Sequence, residues 1–172
     1  MKRGLKNWGC DRATAAAEMA LVLPLMIALL FGGFEGGNYM WNEHKVIKGV
    51  RDGARYAGRQ GFGAFDCTDG TIVATVEANI QAMTRLGAPD PQSQNSPRVP
   101  GWNATDVDGV DTVTVTVDCD ESTASGIYRD LGEAPRVTVA ARVAYPSLFQ
   151  TLGFDTTDAV VRAEAEAVVA GI

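Results

Sequence analysis

Hydrophobic and polar residues form three different patterns along this chain. An apolar run fills residues 13–34, and Glu18 is the only charged residue within it. In residues 38–60 and 71–86, apolar side chains recur at spacings of three and four, which is the period of one helix face. From residue 112 onward, apolar and polar residues alternate, as in strands with one buried face. This order predicts an α+β fold in which helices from the first half cover a small antiparallel sheet.

The same patterns predict where each helix and strand begins and ends. Residues 38–60 contain no proline and align Tyr39, Val46 and Val50 on one face, so the apolar helix is expected to continue through them. The proline-containing stretch 87–105 is expected to be a long loop that is either mobile or an interaction element. The remaining expected elements are a connector at 61–70, a second helix at 71–86 and strands at 112–119, 137–145 and 161–169.

The apolar run is long enough to cross a membrane. Its 22 residues span roughly 33 Å as a helix at about 1.5 Å per residue. The twelve residues before it carry four bases against one acid, Asp11, which keeps the N-terminus in the cytoplasm by the positive-inside rule. We therefore expect a cytoplasmic leader at 1–13, a transmembrane helix at 14–37 and an exported α+β domain at 38–172. A cleavable signal peptide is disfavoured, since Pro24 and Glu18 interrupt the run and no small-residue cleavage site follows.

Charge and composition narrow the chemistry. The chain has 15 Lys and Arg against 21 Asp and Glu, a net charge of −6, which argues against nucleic acid as a partner. His44 is the only histidine, and no zinc, nucleotide-binding or nucleophile motif occurs, so neither catalysis, a cofactor nor a small-molecule substrate is expected. Asp106, Asp108 and Asp111 partly imitate a calcium loop but lack its later glutamate. A solvated turn is the favoured interpretation of that run.

Glu18 needs an explanation, because a carboxylate facing lipid at a helix centre costs on the order of 2.5–3.5 kcal/mol. Either it lies near the headgroup boundary and is tolerated, or it has a function.

A second charged feature follows in the exported helix. Five residues form a mostly basic stripe, which is either a solvated face with local ion pairs such as Lys48 with Asp52 or a docking surface for acidic neighbours. The stripe consists of Lys45, Lys48, Asp52, Arg55 and Arg59.

The cysteines and one glycine complete the candidates. Cys10 lies in the leader, whereas Cys67 and Cys119 both lie in the exported part, where a disulfide can form. Two unrelated buried thiols are the alternative. Gly53 interrupts the exported helix at a cost of roughly 1 kcal/mol relative to alanine, which favours close packing against another element.

Two segments resemble the TadE-like family, the minor pilins or pseudopilins of tight-adherence (Flp pilus) systems. The first runs from Arg12 to Pro24, and the second, Val50 to Ala57, contains Gly53, Ala54, Arg55 and Tyr56 as a packing and interaction motif. The resemblance implies that a prepilin peptidase cuts between Ala13 and Thr14, which makes Glu18 the fifth mature residue. Ala13 stands where the family has glycine, and Met19 where it has Phe or Tyr.

The family also implies a place and partners for the chain. It is expected to be a single-pass protein of the bacterial inner membrane, with a cytoplasmic N-terminus and a periplasmic C-terminal domain. The implied partners are other pilin or pseudopilin subunits and the pilus assembly platform, and Glu18 is implied to set subunit register. The alternative function is an unprocessed, membrane-anchored periplasmic scaffold or binding protein.

Overall fold

The computed structural model describes residues 10–106, 108–120, 125–129, 134–153 and 159–171. Two α-helices, three short 3-10 helices and two small antiparallel sheets make up the described elements, which confirms the predicted α+β class. The helices and strands are α1 (Cys10–Ala57), β1 (Phe65–Asp66), β2 (Thr71–Ile72), α2 (Ala74–Leu86), β3 (Val113–Asp120), β4 (Ala134–Ala144) and β5 (Val160–Val168).

Helix α1 contributes to two units, because the chain divides after Asn38 into residues 1–38 and 39–172. In the first unit the large apolar side chains from Met19 to Phe34 are exposed, and Pro24 lies within the helix without ending it. Among the described residues, α1 is the one helix that is long and apolar enough to cross a membrane. The predicted leader falls largely on residues 1–9, which lie outside the described residues.

The second unit packs two helices on one face of a three-stranded sheet. The strand order is β3-β4-β5, and the register aligns Val115 with Val139 and Val139 with Ala165. The buried cluster on this face contains valines and alanines of the strands together with residues from both helices: Val46, Val50, Ala54 and Ala57 from α1, and Ile80 from α2. Alternation with period two therefore places the apolar residues inward and the polar residues outward, as the sequence predicted.

The outer face of that sheet is polar. Thr116, Thr138 and Glu166 are aligned across the three strands there, and Arg136 forms an ion pair of 2.8 Å with Glu166. Both side chains of that pair are close to half exposed. The sheet thus has one face covered by helices and one face in contact with solvent.

Three element boundaries differ from those expected. Residues 65–66 and 71–72 pair as a two-stranded hairpin, where the sequence indicated only a connector and the first turn of a helix. Helix α2 consequently begins at Ala74, and it ends at Gly87, whose φ of 75° suits glycine and whose N–H donates to Met83 O. Strand β4 begins at Ala134, three residues earlier than expected, because Pro135 continues the register opposite Cys119.

The loop after α2 is anchored in the core. Val99 and Trp102 are each 1% exposed. The indole N–H of Trp102 donates to Thr112 Oγ1 at 3.2 Å, and that hydroxyl donates to Asn103 O at 2.6 Å. Buried apolar side chains in mid-loop hold the segment against the sheet and helices, so this part of the loop is packed rather than mobile.

Candidate assembly surfaces

The residues of the expected processing site lie at the beginning of α1. Helix α1 starts at Cys10, so Ala13 and Thr14 fall in its first turns. The side chains of Thr14 and Glu18 are exposed, and that of Ala13 lies outside the described part of the chain. A peptidase that cuts an extended strand would have to unwind this terminus. Terminal turns fray readily because their first four N–H groups lack helical partners.

Small residues bring α1 into close contact with α2. A Cβ at Gly49 would lie 2.6 Å from Thr84 O, and a Cβ at Gly53 would overlap the Thr84 hydroxyl. Thr84 is fully buried, and its hydroxyl donates to Ile80 O within α2. Glycine is thus required at residues 49 and 53 by the approach of a neighbouring helix, which is the physical reason expected from the sequence for Gly53.

The four-residue motif at 53–56 divides between the core and the surface. Ala54 is 2% exposed and belongs to the core, and Tyr56 is half-buried and packs against it. Arg55 is exposed. The motif therefore contains three packing residues and one residue available to a partner.

Arg98 is a structural residue for which the sequence held no signal. Its guanidinium Nη2 lies 2.8 Å from Asp52 Oδ2 and 3.5 Å from Met83 O, so it joins α1 to the C-terminal end of α2. The two side chains are 17% and 22% exposed, and Arg98 Nε is buried without a hydrogen-bond partner. Asp52 thus pairs with a loop residue 46 positions away, and the ion pairs among the described residues include none between Lys48 and Asp52.

The basic stripe predicted from the sequence is confirmed at Lys48, Arg55 and Arg59, which are exposed, and differs at the other two residues. Asp52 is engaged by Arg98, and Lys45 is half-buried with its Nζ 5.4 Å from the centre of the Trp41 ring. The exposed bases of residues 39–59 are His44, Lys48, Arg51 and Arg55 in α1 and Arg59 in the turn that follows it. We call these five residues the basic face. Their spacings of four, three, four and four lie opposite the buried Val46, Val50, Ala54 and Ala57, so the register of the buried residues was the signal that could have found them.

Cys67 and Cys119 form a disulfide, with Cα atoms 5.6 Å apart. It joins the segment between β1 and β2 to β3, across a sequence separation of 52 residues. Cys67 and Cys119 are each partly buried. The bridge thus ties the small hairpin to the main sheet.

The acidic run before β3 organises a turn. Asp106 Oδ1 accepts the backbone N–H groups of Asp108 and Val110, each at 2.9 Å, and Asp106 Oδ2 lies 3.6 Å from Arg142 Nη1. Asp111 is exposed, and within the described ranges no three His, Cys, Asp or Glu side chains form a group able to hold a metal ion. Burial lowers the pKa of the Arg85 guanidinium, while the Asp111 carboxylate acts in the opposite direction.

Residues 13–55 match the model of the family described as TadE-like protein. The match covers about a quarter of the chain and overlaps both segments on which the resemblance was based, at residues 13–24 and 50–55. No curated protein and no solved structure matches the chain.

Proposed function

We propose that this chain is a minor pilin or pseudopilin that takes part in assembling a tight-adherence (Flp-type) pilus. The proposal rests on the match of residues 13–55, which identifies the chain as a TadE-like protein. The family is associated with these pilus systems and is not a known enzyme family. The observation that carries the proposal is the apolar run at 13–34 with the single carboxylate Glu18, in one helix with the GARYA segment at 53–57, part of which lies within the match.

The proposal assigns a role to each part of the chain. The leader at 1–13 is retained in the cytoplasm, the apolar segment at 14–37 spans the inner membrane, and residues 38–172 fold in the periplasm. A prepilin peptidase removes the leader, and the mature protein joins other pilin subunits at the assembly platform. The basic leader and the excess of acids after residue 40 support this orientation.

Glu18 is the residue proposed to set subunit register. Cleavage before Thr14 would create an α-amino group about one helical turn from Glu18, and such an amine is largely protonated near neutral pH. A carboxylate in an apolar environment is tolerated when an opposite charge pairs with it. Glu18 would therefore pair with the Thr14 amine of its own chain or of a neighbour, and this would fix the axial position of the subunit.

Mass spectrometry of the mature N-terminus tests the function most directly. In a host that carries the tight-adherence genes we expect the exported protein to begin at Thr14, and to retain Met1 or Lys2 when the prepilin peptidase is deleted. A protein that keeps residues 1–13 in the wild-type host would favour the alternative, an unprocessed membrane-anchored scaffold.

A second experiment addresses the role of Glu18. Glu18→Gln keeps the shape of the side chain and removes its charge, so we expect membrane insertion to persist while surface pilus output falls at least tenfold. Glu35→Gln, a change at another acid of the same helix, serves as the matched control. Normal pilus output from Glu18→Gln would contradict the register role.

A further inference from the structure

The basic face stands out because the rest of the exported domain is acidic. After residue 40 the chain holds 11 Lys and Arg against 18 Asp and Glu, yet four residues of the basic face lie on one side of α1 and Arg59 follows in the turn after Ala57. His44 to Arg55 extends over about 16 Å of helix at about 1.5 Å per residue. The carboxylate nearest in sequence to its middle, Asp52, is already paired with Arg98. Lys48, Arg51, Arg55 and Arg59 form no ion pair among the described residues, so these four residues make the basic face a line of positive charge.

The opposite charge gathers around the disulfide. Asp66 and Asp69 flank Cys67, and Asp118 precedes Cys119, so the bridge brings the three carboxylates to one end of the domain. We call these three exposed residues the acidic tip. The base directly opposite Asp118 in the sheet, Arg136, pairs with Glu166 at 2.8 Å.

Backbone pairing places the acidic tip near the level of the C-terminal end of α1, two strands across the sheet. Cys119 is opposite Pro135 in the sheet, and Pro135 O accepts the N–H of Val169. The next residue, Ala170, donates its N–H to Gly58 O at 2.8 Å, directly after α1 ends. The domain thus carries positive charge along the α1 flank and negative charge at the end of β3, on the opposite edge of the sheet from β5.

This arrangement distinguishes between two ways of packing parallel copies. Copies in the same axial register would place basic face against basic face, which is unfavourable for like charges. A copy displaced along the α1 axis by roughly 10–20 Å, about half the length of the basic face or more, would bring its acidic tip against the basic flank of the next copy. Displacement therefore converts repulsion into attraction.

We propose that the basic face of α1 docks the acidic tip of a second copy of this chain, in a parallel, axially staggered and heterologous contact. Such a contact uses different surfaces on the two partners and so can repeat along a fibre. The inference rests on the proposed pilin function, for which it names a partner surface and an axial offset. It does not involve Glu18 or the leader.

Charge reversal on each surface separately tests the contact. One variant carries Arg51→Glu and Arg55→Glu, and the other carries Asp69→Lys and Asp118→Lys. Asp66 is left unchanged because its Oδ1 accepts the N–H groups of Thr68 and Asp69 and holds the turn. Full-length chains with two different tags are co-expressed in a host without pilus genes and solubilised in mild detergent. The recovery of one tag through the other measures self-association.

The expected pattern is specific to a heterologous contact. Each variant alone should show at least tenfold lower self-association than the wild type. The two variants mixed should associate again, because the intact acidic tip of the first meets the intact basic face of the second. A chain with all four reversals should also self-associate, and wild-type association should fall at least tenfold between about 50 and 500 mM NaCl, since salt screens exposed charges.

Controls separate the contact from changes in folding and net charge. Arg142→Glu with Arg162→Glu changes the net charge as the first variant does, but on the outer sheet face, where these two residues are directly opposite. It should leave association unchanged. Arg51→Gln with Arg55→Gln, a milder variant, should lower association without adding acids, and the Cys67–Cys119 bridge on non-reducing gels checks folding.

Clear outcomes would overturn the inference. Wild-type chains that do not associate, reversals that associate as the wild type does, or a mixture no better than either variant alone would each do so. Because the host lacks pilus genes, these results are independent of processing at Thr14 and of the effect of Glu18→Gln. The experiments can therefore support the pilin function while contradicting this contact. They can equally support this contact while contradicting the pilin function.

Discussion

At the scale of single residues, two glycines and one long arginine hold the helices of the second unit together. Gly49 and Gly53 contribute by having no side chain, so that α1 can approach Thr84 of α2. Arg98 contributes by being long, so that a loop residue can pair with Asp52 and also reach Met83 O. The glycines and Arg98 both act where α1 packs against α2, and each supports a prediction.

Gly53→Ala should destabilise the domain although alanine is the better helix former, because the added Cβ would overlap the Thr84 hydroxyl. Overpacking of this kind costs about 1–3 kcal/mol, and thermal unfolding of the full chain should show it as a lower Tm. Gly63→Ala is the control, since a Cβ there meets nothing within 4 Å. Adding Thr84→Ala should recover part of the loss in the double variant. Equal Tm values for Gly53→Ala and Gly63→Ala would refute the packing role.

Arg98→Met should lower the free energy of unfolding by about 1–3 kcal/mol, because Asp52 would remain partly buried without its partner. The double variant with Asp52→Asn should lose less than Arg98→Met alone. The matched control is Arg136→Gln, which breaks an ion pair whose side chains are 43% and 46% exposed. That change should cost under about 1 kcal/mol, and urea titration followed by circular dichroism would compare the three. A loss from Arg136→Gln as large as that from Arg98→Met would contradict this ranking.

At the scale of elements, the domain is held by a sheet with one covered face and by a crosslink at one edge. Strands β3, β4 and β5 present valines and alanines to the helices, and the outward residues are threonines and charged side chains. The hairpin of β1 and β2 contains only two residue pairs, which is too short to be stable by itself. The Cys67–Cys119 bridge supplies the covalent connection that holds it at β3.

Removal of the bridge by Cys67→Ser with Cys119→Ser should destabilise the domain by about 4 kcal/mol, the loop-entropy value for a separation of this length. Reduction of the wild-type protein should produce a similar loss, and urea unfolding with and without reductant measures both. Cys10→Ser, a change at the remaining cysteine, is the control and should have no effect. Unchanged stability after reduction would show that the hairpin is held by packing alone.

At the scale of the whole molecule, charge is distributed unevenly along the chain. The bases at the N-terminus precede the apolar segment, and acids predominate after residue 40. This asymmetry is the basis for the proposed orientation, in which the leader remains in the cytoplasm and the α+β domain is exported.

Fusions after Ile172 test that orientation. We expect alkaline phosphatase to be active at this position and green fluorescent protein to be dark, because both report on an oxidising exported compartment. Replacing Lys2, Arg3 and Lys6 with glutamate should reduce phosphatase activity severalfold, since the retained bases set topology. Replacing Lys45 and Lys48 in the same way is the matched control. An active fluorescent fusion on the wild-type chain would reverse the assignment.

The sequence by itself determined the features that depend on neighbouring residues. The length of the apolar run, the spacing in 38–60 and the alternation in the three strands each arise from the local backbone geometry that side chains must satisfy. For that reason the apolar helix, α2 and the main sheet were predicted within a few residues of their observed bounds. The two segments of the family resemblance were also readable, because such motifs are contiguous.

Only the tertiary structure decided which side chains meet across the fold. The pair of Arg98 with Asp52 joins residues 46 positions apart, and it engages Asp52, which the local spacing had placed in the exposed stripe. The strands of the short β1–β2 hairpin have too few residues to show an alternation of apolar and polar side chains. Their pairing depends on the position of the hairpin beside β3. The acidic tip lies near the end of α1 only because sheet register and one backbone hydrogen bond bring β5 there. Local periodicity encodes elements, whereas the contacts between them arise from packing of distant residues.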